Sequence, residues 1–158
     1  MEKVNKLSFC LPHAKVSRPV QTKKDEEVID ATWESMQKLC HLTWGLHRGA
    51  YAIAHSQVDD QDPLRFFVTM RGDIIVNPEI IRKTKIPVAK TEGCMTFPEK
   101  ASTMVMRSHK CEVEFYKYVP GTGMQGPFTE AVSGVNAQVM QHEIGHMNGE
   151  YIFSYEQK

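Results

Sequence analysis

The sequence predicts an α+β fold, with mainly antiparallel strands packed around a C-terminal helix and a second helix near the N-terminus. Three observations predict it. Apolar residues recur at helical spacing in two segments, one toward each end of the 158-residue chain. The stretch between them, from Gly49 to about Tyr118, reads as short apolar runs separated by turn residues. The resulting order is arm, helix, strands, helix and short tail, without the strand–helix alternation that builds a parallel sheet.

Residues 1–24 carry Pro12, Pro19 and several basic side chains and read as an extended arm with one short strand. Residues 25–44 are the first helix. Val28, Ile29, Trp33, Met36, Leu39 and Cys40 share a face, and Asp25, Glu26 and Glu27 sit in the first turn, where the helix dipole favours negative charge. Gly45 follows as the stop. Tyr51–Ser56, Leu64–Met70 and Ile74–Asn77 are strand candidates, the last two joined by a turn at Arg71-Gly72-Asp73. Met104–Arg107 and Cys111–Tyr118 read as a further pair of strands. In the second, Cys111, Val113 and Phe115 alternate with Glu112 and Glu114. The stretch 120–127 holds three glycines and two prolines and reads as a loop. Residues 131–148 return to helix, with Val132, Val135, Val139, Met140 and Met147 as the apolar stripe, Glu130 near its start and Gly149 just past its end.

The length fits one domain over residues 1–158. Hydrophobic residues at 41% and charged residues at 24% exclude disorder, collagen and coiled coil for the whole chain. Lys+Arg and Asp+Glu both total 19, which excludes a strongly basic nucleic-acid or membrane-surface protein. No apolar run of membrane-spanning length occurs, and Met1–Cys10 has no apolar signal-peptide core, so a cytoplasmic location is expected, or an organellar one after removal of a presequence. Cys10, Cys40, Cys94 and Cys111 form no CxxC pair and are expected as reduced thiols, with Cys10, Cys40 and Cys111 as small core hydrophobes.

The chemistry begins in the second helix, at His142-Glu143-Ile144-Gly145-His146, an HExxH motif. Histidines at i and i+4 lie on one helix face about 6 Å apart and can clamp one metal ion. Glu143 is turned about 100° around the axis, where it can reach a metal-activated water without ligating the ion. The histidines share a face with Val135 and Val139, read as the buried side. A third ligand is needed. A glutamate on a later helix has no room in the 12 residues after His146, and the HExxHxxGxxH pattern fails because Ile152 stands where the third histidine belongs. The ligand must come from upstream, and Cys94 in Glu92-Gly93-Cys94 could supply a thiolate, giving a Cys/His/His site with an open fourth position.

With these motifs in hand, the sequence resembles the peptide deformylase family. That family carries a Gly-rich strand ending in Gln, then EGC, then QHExxH. Here the three stand as Ala50-Tyr51-Ala52-Ile53-Ala54-His55-Ser56-Gln57, Glu92-Gly93-Cys94 and Gln141-His142-Glu143-Ile144-Gly145-His146. Val76-Asn77-Pro78-Glu79-Ile80, Val105-Met106-Arg107, Gly134 and Ala137 also look like the family, so the resemblance covers roughly residues 28–153. It implies an α+β hydrolase that removes the formyl group from N-formylmethionyl peptides. By motif position it implies Cys94, His142 and His146 as metal ligands, Glu143 as general base and then acid, and the Gln57 amide and Met95 backbone N–H as oxyanion donors. Tyr51, Ala52, Val135 and Val139 are the candidates for the substrate wall. The resemblance implies Fe²⁺ as the usual native ion, with Zn²⁺, Ni²⁺ or Co²⁺ able to occupy the site. The implied partner is the N-formylmethionyl nascent peptide, with no nucleic acid or membrane and a monomeric protein in the cytoplasm, a host's cytoplasm if the source is viral. Many members carry a C-terminal helix implicated in ribosome docking. Met147–Lys158 leave room for one strand and a short tail, so ribosome association is not assigned.

Three positions depart from the family pattern: Ala52 replaces a motif glycine, His55 a small residue, and Gly145 the usual Asp of the last motif. On a strand, His55 would share a face with Gln57; it is expected as a hydrogen-bonded structural side chain. Two other readings stand beside deformylation of peptides: an enzyme with the same centre acting on another N-formyl substrate, and an inactive binding module that keeps its metal for structure. The intact Gln57, Cys94 and Glu143 argue against the second, since a structural site closes its fourth position and has no use for Glu143.

Overall fold

A computed structural model describes residues 8–44, 51–94 and 102–151. In chain order these form α1 (Lys23–Trp44), β1 (Ala52–Ala54), a 3₁₀ turn (His55–Gln57), β2 (Phe66–Thr69), β3 (Ile74–Lys83), β4 (Pro87–Glu92), β5 (Thr103–Ser108), β6 (Lys110–Val119), β7 (Gly123–Ser133) and α2 (Gly134–Met147). The strands make a five-stranded antiparallel sheet in the order β1-β2-β3-β6-β7 and a separate antiparallel pair, β4-β5. The class is the α+β arrangement the sequence predicts.

The five-stranded sheet is a partition between the two helices, and side-chain alternation decides which helix each residue meets. Ile53, Phe66, Val68, Ile74 and Val76 pack with Ile29, Met36 and Cys40 of α1. Their neighbours Ala52, Ala54, Phe67 and Ile75 point the other way, into a second core with Cys111, Val113, Phe115 and Ala137, Ile144 and Met147 of α2. The central strands are covered on both faces, which is why β2 reads as an unbroken apolar run. Phe66 and Phe67 are both fully buried, and truncating either to Ala would cost about 3–5 kcal/mol.

Helix α1 starts two residues earlier than predicted. Its entry is a capping box in which the Asp25 N–H donates to Thr22 Oγ1 at 3.1 Å and the Thr22 N–H to Asp25 Oδ2 at 3.2 Å. The predicted stop, Gly45, lies outside the described residues. The arm is irregular as expected, with one isolated bridge between Arg18 and Leu64. Asn77, at φ 51, latches it down by accepting from the Val20 N–H and donating to the Val20 carbonyl.

Other boundaries differ from the sequence reading as well, and β3 runs on to Lys83 rather than stopping at Asn77. Strand β4 was not predicted, and β5 pairs with β4 rather than β6. One residue, His109, separates β5 from β6, too few to turn the chain back on itself, so it passes from one sheet to the other. The loop predicted over 120–127 shrinks to a turn, and β7 runs from Gly123. Gly126-Pro127 fall opposite a register irregularity at Tyr116 on an edge strand, a place where a sheet tolerates Pro. That strand also takes in Ala131–Ser133, so α2 starts at Gly134, and Glu130 and Val132 are strand residues. The predicted strand at Tyr51–Ser56 is cut short by the 3₁₀ turn. Among the cysteines, Cys40 and Cys111 are buried, whereas Cys10 is half-buried and its thiol donates to the Ser56 carbonyl.

Candidate metal centre

Helix α2 brings His142 and His146 onto one face, and the end of β4 carries Cys94 to meet them. The three ligand atoms lie within 4.8 Å of one another. Cys94 Sγ is 3.6 Å from His146 Nε2, and the two imidazole Nε2 atoms are 2.8 Å apart. A tetrahedral ion with bonds of about 2.0–2.3 Å separates such atoms by roughly 3.3–3.6 Å, so the donor set brackets the spacing required. Cys94 is 7% exposed and His146 1%. Burial, followed by the nearby His142, holds the His146 imidazole well below its usual range, so it is a neutral donor. Its Nδ1 is buried without a hydrogen-bond partner among the described residues. One cysteine sulfur and two imidazole nitrogens converging at one point suit a divalent transition ion.

The orientation of His142 comes from two residues, Glu92 and Arg107, that sequence reasoning left without a role. Glu92 Oε1 accepts from His142 Nδ1 at 2.7 Å, which leaves the Nε2 lone pair facing the centre. Arg107 holds the same carboxylate from Nε and Nη2 at 2.8 and 2.7 Å. Burial opposes the charge on Glu92, but the Arg107 and His142 hydrogen bonds bring its carboxyl down to about 2. Glu92 and Arg107 lie on the same face of the β4-β5 pair.

Glu143 is 4% exposed, and its Oε2 has no hydrogen-bond partner among the described residues. Burial, then the charge of Glu92, pushes its carboxyl well above the usual range, while the Ala54 backbone N–H pulls the other way. A carboxyl raised in this way holds a proton more tightly than a solvated one, which suits a group that accepts a proton and returns it. Gln57 sits in the 3₁₀ turn, with its Oε1 accepting from the Ala54 N–H at 3.0 Å. The same short segment therefore touches both Glu143 and Gln57. Gln141 clamps α2 to β5, accepting from the Ser108 N–H and donating to its carbonyl.

His55 is not on a strand beside Gln57. It lies in the 3₁₀ turn, where its Nδ1 accepts from the Leu64 N–H at 2.9 Å and its ring stacks on Phe66 at 4.8 Å. It is the structural side chain expected, with a different backbone geometry. Val135 is 55% exposed and Val139 half-buried, so the helix face they share with the histidines is open at its N-terminal end and buried only at His146. The buried face centres on Ala137, Gln141 and Ile144. Ala52 is buried and Tyr51 exposed. Met95 lies outside the described residues. Past α2, Gly149 at φ 80 ends the helix, and a Cβ there would lie 2.6 Å from the Ala14 carbonyl oxygen, so the arm can cross only over glycine.

A family model described as polypeptide deformylase matches residues 13–158. The peptide deformylase of Thermotoga neapolitana is 30% identical over 139 residues, covering 85% of this chain and 75% of its own. That of Thermotoga petrophila is 31% identical over the same shares. The crystal structure of peptide deformylase from Thermotoga maritima superposes with a TM-score of 0.72 at 28% identity, covering 94% of this chain and 95% of its own. The structure of PDF from the Vibrio parahaemolyticus bacteriophage VP16T in complex with actinonin also gives 0.72, at 26% identity over 92% and 97% of the two chains.

Proposed function

The chain belongs to the polypeptide deformylase family, and on that premise we propose that it hydrolyses the formyl group from N-formylmethionyl peptides, releasing formate and a free amino terminus. Cys94, His142 and His146 would hold one divalent ion, with Glu92 and Arg107 fixing the His142 ring. Bound there, the ion would supply Lewis-acid chemistry toward a water and the formyl carbonyl. Glu143 takes the proton of the attacking water and hands it to the departing amine. The Gln57 amide, steadied through its Oε1 by the Ala54 N–H, donates to the oxyanion, and the Met95 backbone N–H is the second donor. Tyr51, Ala52, Val135 and Val139 form the wall for the methionine side chain. Fe²⁺ is the proposed native ion, and Zn²⁺, Ni²⁺ and Co²⁺ suit the same donors. No helix among the described residues is long and apolar enough to cross a membrane, and we place the action on nascent peptides in the cytoplasm, by a monomer.

The observation that carries this reading is the convergence of Cys94 Sγ with both imidazole Nε2 atoms on the helix that also bears the buried Glu143. Formate release from formyl-Met-Ala-Ser, compared with a small N-formyl amine, tests it. Turnover of the peptide far above that of the amine is expected. Preference for the small amine would move the assignment to another N-formyl substrate.

A further inference from the structure

A second cleft lies on the far side of α2 from the metal ligands. Its volume is about 570 Å³, the size of a small-molecule site. Ile144 and Asn148 line it. Ile144 is two residues from each histidine and therefore projects roughly 160° around the helix from both.

The polar lining is cationic. Arg65, Arg82 and Lys83 line it with one carboxylate, Glu79, and Glu112 stands beside the rim with its Oε2 3.9 Å from Arg82 Nε. Arg65 is only 6% exposed. Its Nε and Nη2 donate to the Pro78 carbonyl at 3.2 and 3.1 Å, and its Nη1 to Asn148 Oδ1 at 2.9 Å, all neutral acceptors. Its counter-charge is Glu79 Oε1 at 3.4 Å, on a side chain 68% exposed. A buried guanidinium ordinarily faces a two-pronged carboxylate. Here two of its five N–H groups are left without an acceptor among the described residues.

Ser17 is an independent mark of the same site. It lines the cleft, is 2% exposed, and its hydroxyl has no partner among the described residues. Such a group costs stability unless something meets it. Its backbone is fixed, with the N–H donating to the Met147 carbonyl at 2.7 Å. Val16, Ile80 and Ile144 add apolar surface to the lining. Three cations against Glu79 and Glu112 leave the lining net positive, and the two unused Arg65 N–H groups with the Ser17 hydroxyl ask for an anion with several acceptor oxygens.

We propose that this cleft binds a phosphate monoester carried on a compact apolar body, its phosphate received by Arg65, Ser17, Arg82 and Lys83 and its body by Val16, Ile80 and Ile144. Isothermal titration of the nickel-loaded protein with phenyl phosphate, benzoate and inorganic phosphate tests it. Phenyl phosphate should bind at least ~10-fold more tightly than either of the others, and its binding should weaken with salt. Replacing Arg82→Gln and Lys83→Gln together, both exposed positions, should weaken it by ~10-fold or more. Ser17→Ala should weaken it several-fold while the unfolding temperature holds or rises, a combination that a purely structural hydroxyl would not give. The chelator-stripped protein should bind phenyl phosphate as well as the nickel form does. The proposal is overturned if phenyl phosphate gives no saturable heat at millimolar concentration, or if the Arg82/Lys83 double variant binds it unchanged. Loss of binding on stripping the metal would equally overturn it, by placing the anion at the metal centre.

Discussion

Replacing Glu92 by Gln should separate ligand orientation from ligation. The carboxylate accepts three short charge-assisted bonds, one from His142 at 2.7 Å and two from Arg107 at 2.8 and 2.7 Å. A glutamine can still accept from His142 Nδ1, but it cannot take both Arg107 bonds and it carries no charge. Loss of the partner that orients a ligating histidine typically costs 10–100-fold in metal affinity, or about 1.4–2.8 kcal/mol. The apoprotein is weakened separately. Arg107, with a side chain 19% exposed, loses its counter-charge, and breaking such a pair costs about 3–5 kcal/mol when fully buried, so about 2–3 kcal/mol is expected here. The assay is Co²⁺ titration against a chromogenic chelator, with chemical unfolding of both apoproteins. At saturating metal, formate release should recover to within ~10-fold of the parent, because Glu92 acts through His142 and not on substrate. Unchanged metal affinity together with unchanged unfolding free energy would refute the assignment of Glu92 as the positioning residue.

Stability should also fall on mild acidification. Burial holds His55 down to about 4, against the pull of Asp59 and Asp62, so protonation favours the unfolded chain. The stabilisation is complete above the unfolded value of 6.5, is lost as pH falls toward 4, and amounts to about 3 kcal/mol. His55→Asn, which keeps an acceptor for the Leu64 N–H, should flatten that slope in equilibrium unfolding; an identical slope would reassign it. Asp25→Asn should cost about 2 kcal/mol by chemical unfolding, because the Asp25 carboxylate accepts from Arg18 and from the Gln21 and Thr22 N–H groups at the start of α1. If Fe²⁺ is the native ion, the iron form should lose activity in air while the Ni²⁺ form keeps it, since ferrous ion and thiolate are both oxidisable; equal persistence of both would count against iron.

The parts of the site that lie within one stretch of chain were legible in the sequence. Helical spacing places His142 and His146 on one face, and Cys94, which the unfilled ligand position and the family resemblance suggested, meets them there. What could not be read was pairing across the chain. Glu92 and Arg107 stood in view inside recognisable motifs, yet their contact depends on the β4-β5 register, and Pro87–Glu92 has too little apolar alternation to announce a strand. The helix face bearing Val135 looked buried because valine at helical spacing suggests core, whereas the core is set by where the sheet lies, under Ala137 and Ile144. A strand position for His55 fails because a 3₁₀ turn of three residues leaves no periodicity to detect. Glycine and proline marked 120–127 as a loop, and only the edge position of β7 and the irregularity opposite Tyr116 reveal why a strand accepts them there.

The central claim is that Glu143 moves the proton at a centre held by Cys94, His142 and His146. Its most direct test measures metal content and formate release from formyl-Met-Ala-Ser in parallel for the parent protein, Glu143→Ala, Gln57→Ala and Cys94→Ala. Glu143→Ala should retain one ion per chain and lose about 10²–10⁴-fold in rate, the usual contribution of general acid–base catalysis. Gln57→Ala should retain the ion and lose about 10²–10³-fold in kcat, and Cys94→Ala should lose the ion itself. Near-parental formate release by Glu143→Ala would contradict the account, as would a full complement of tightly held metal in Cys94→Ala.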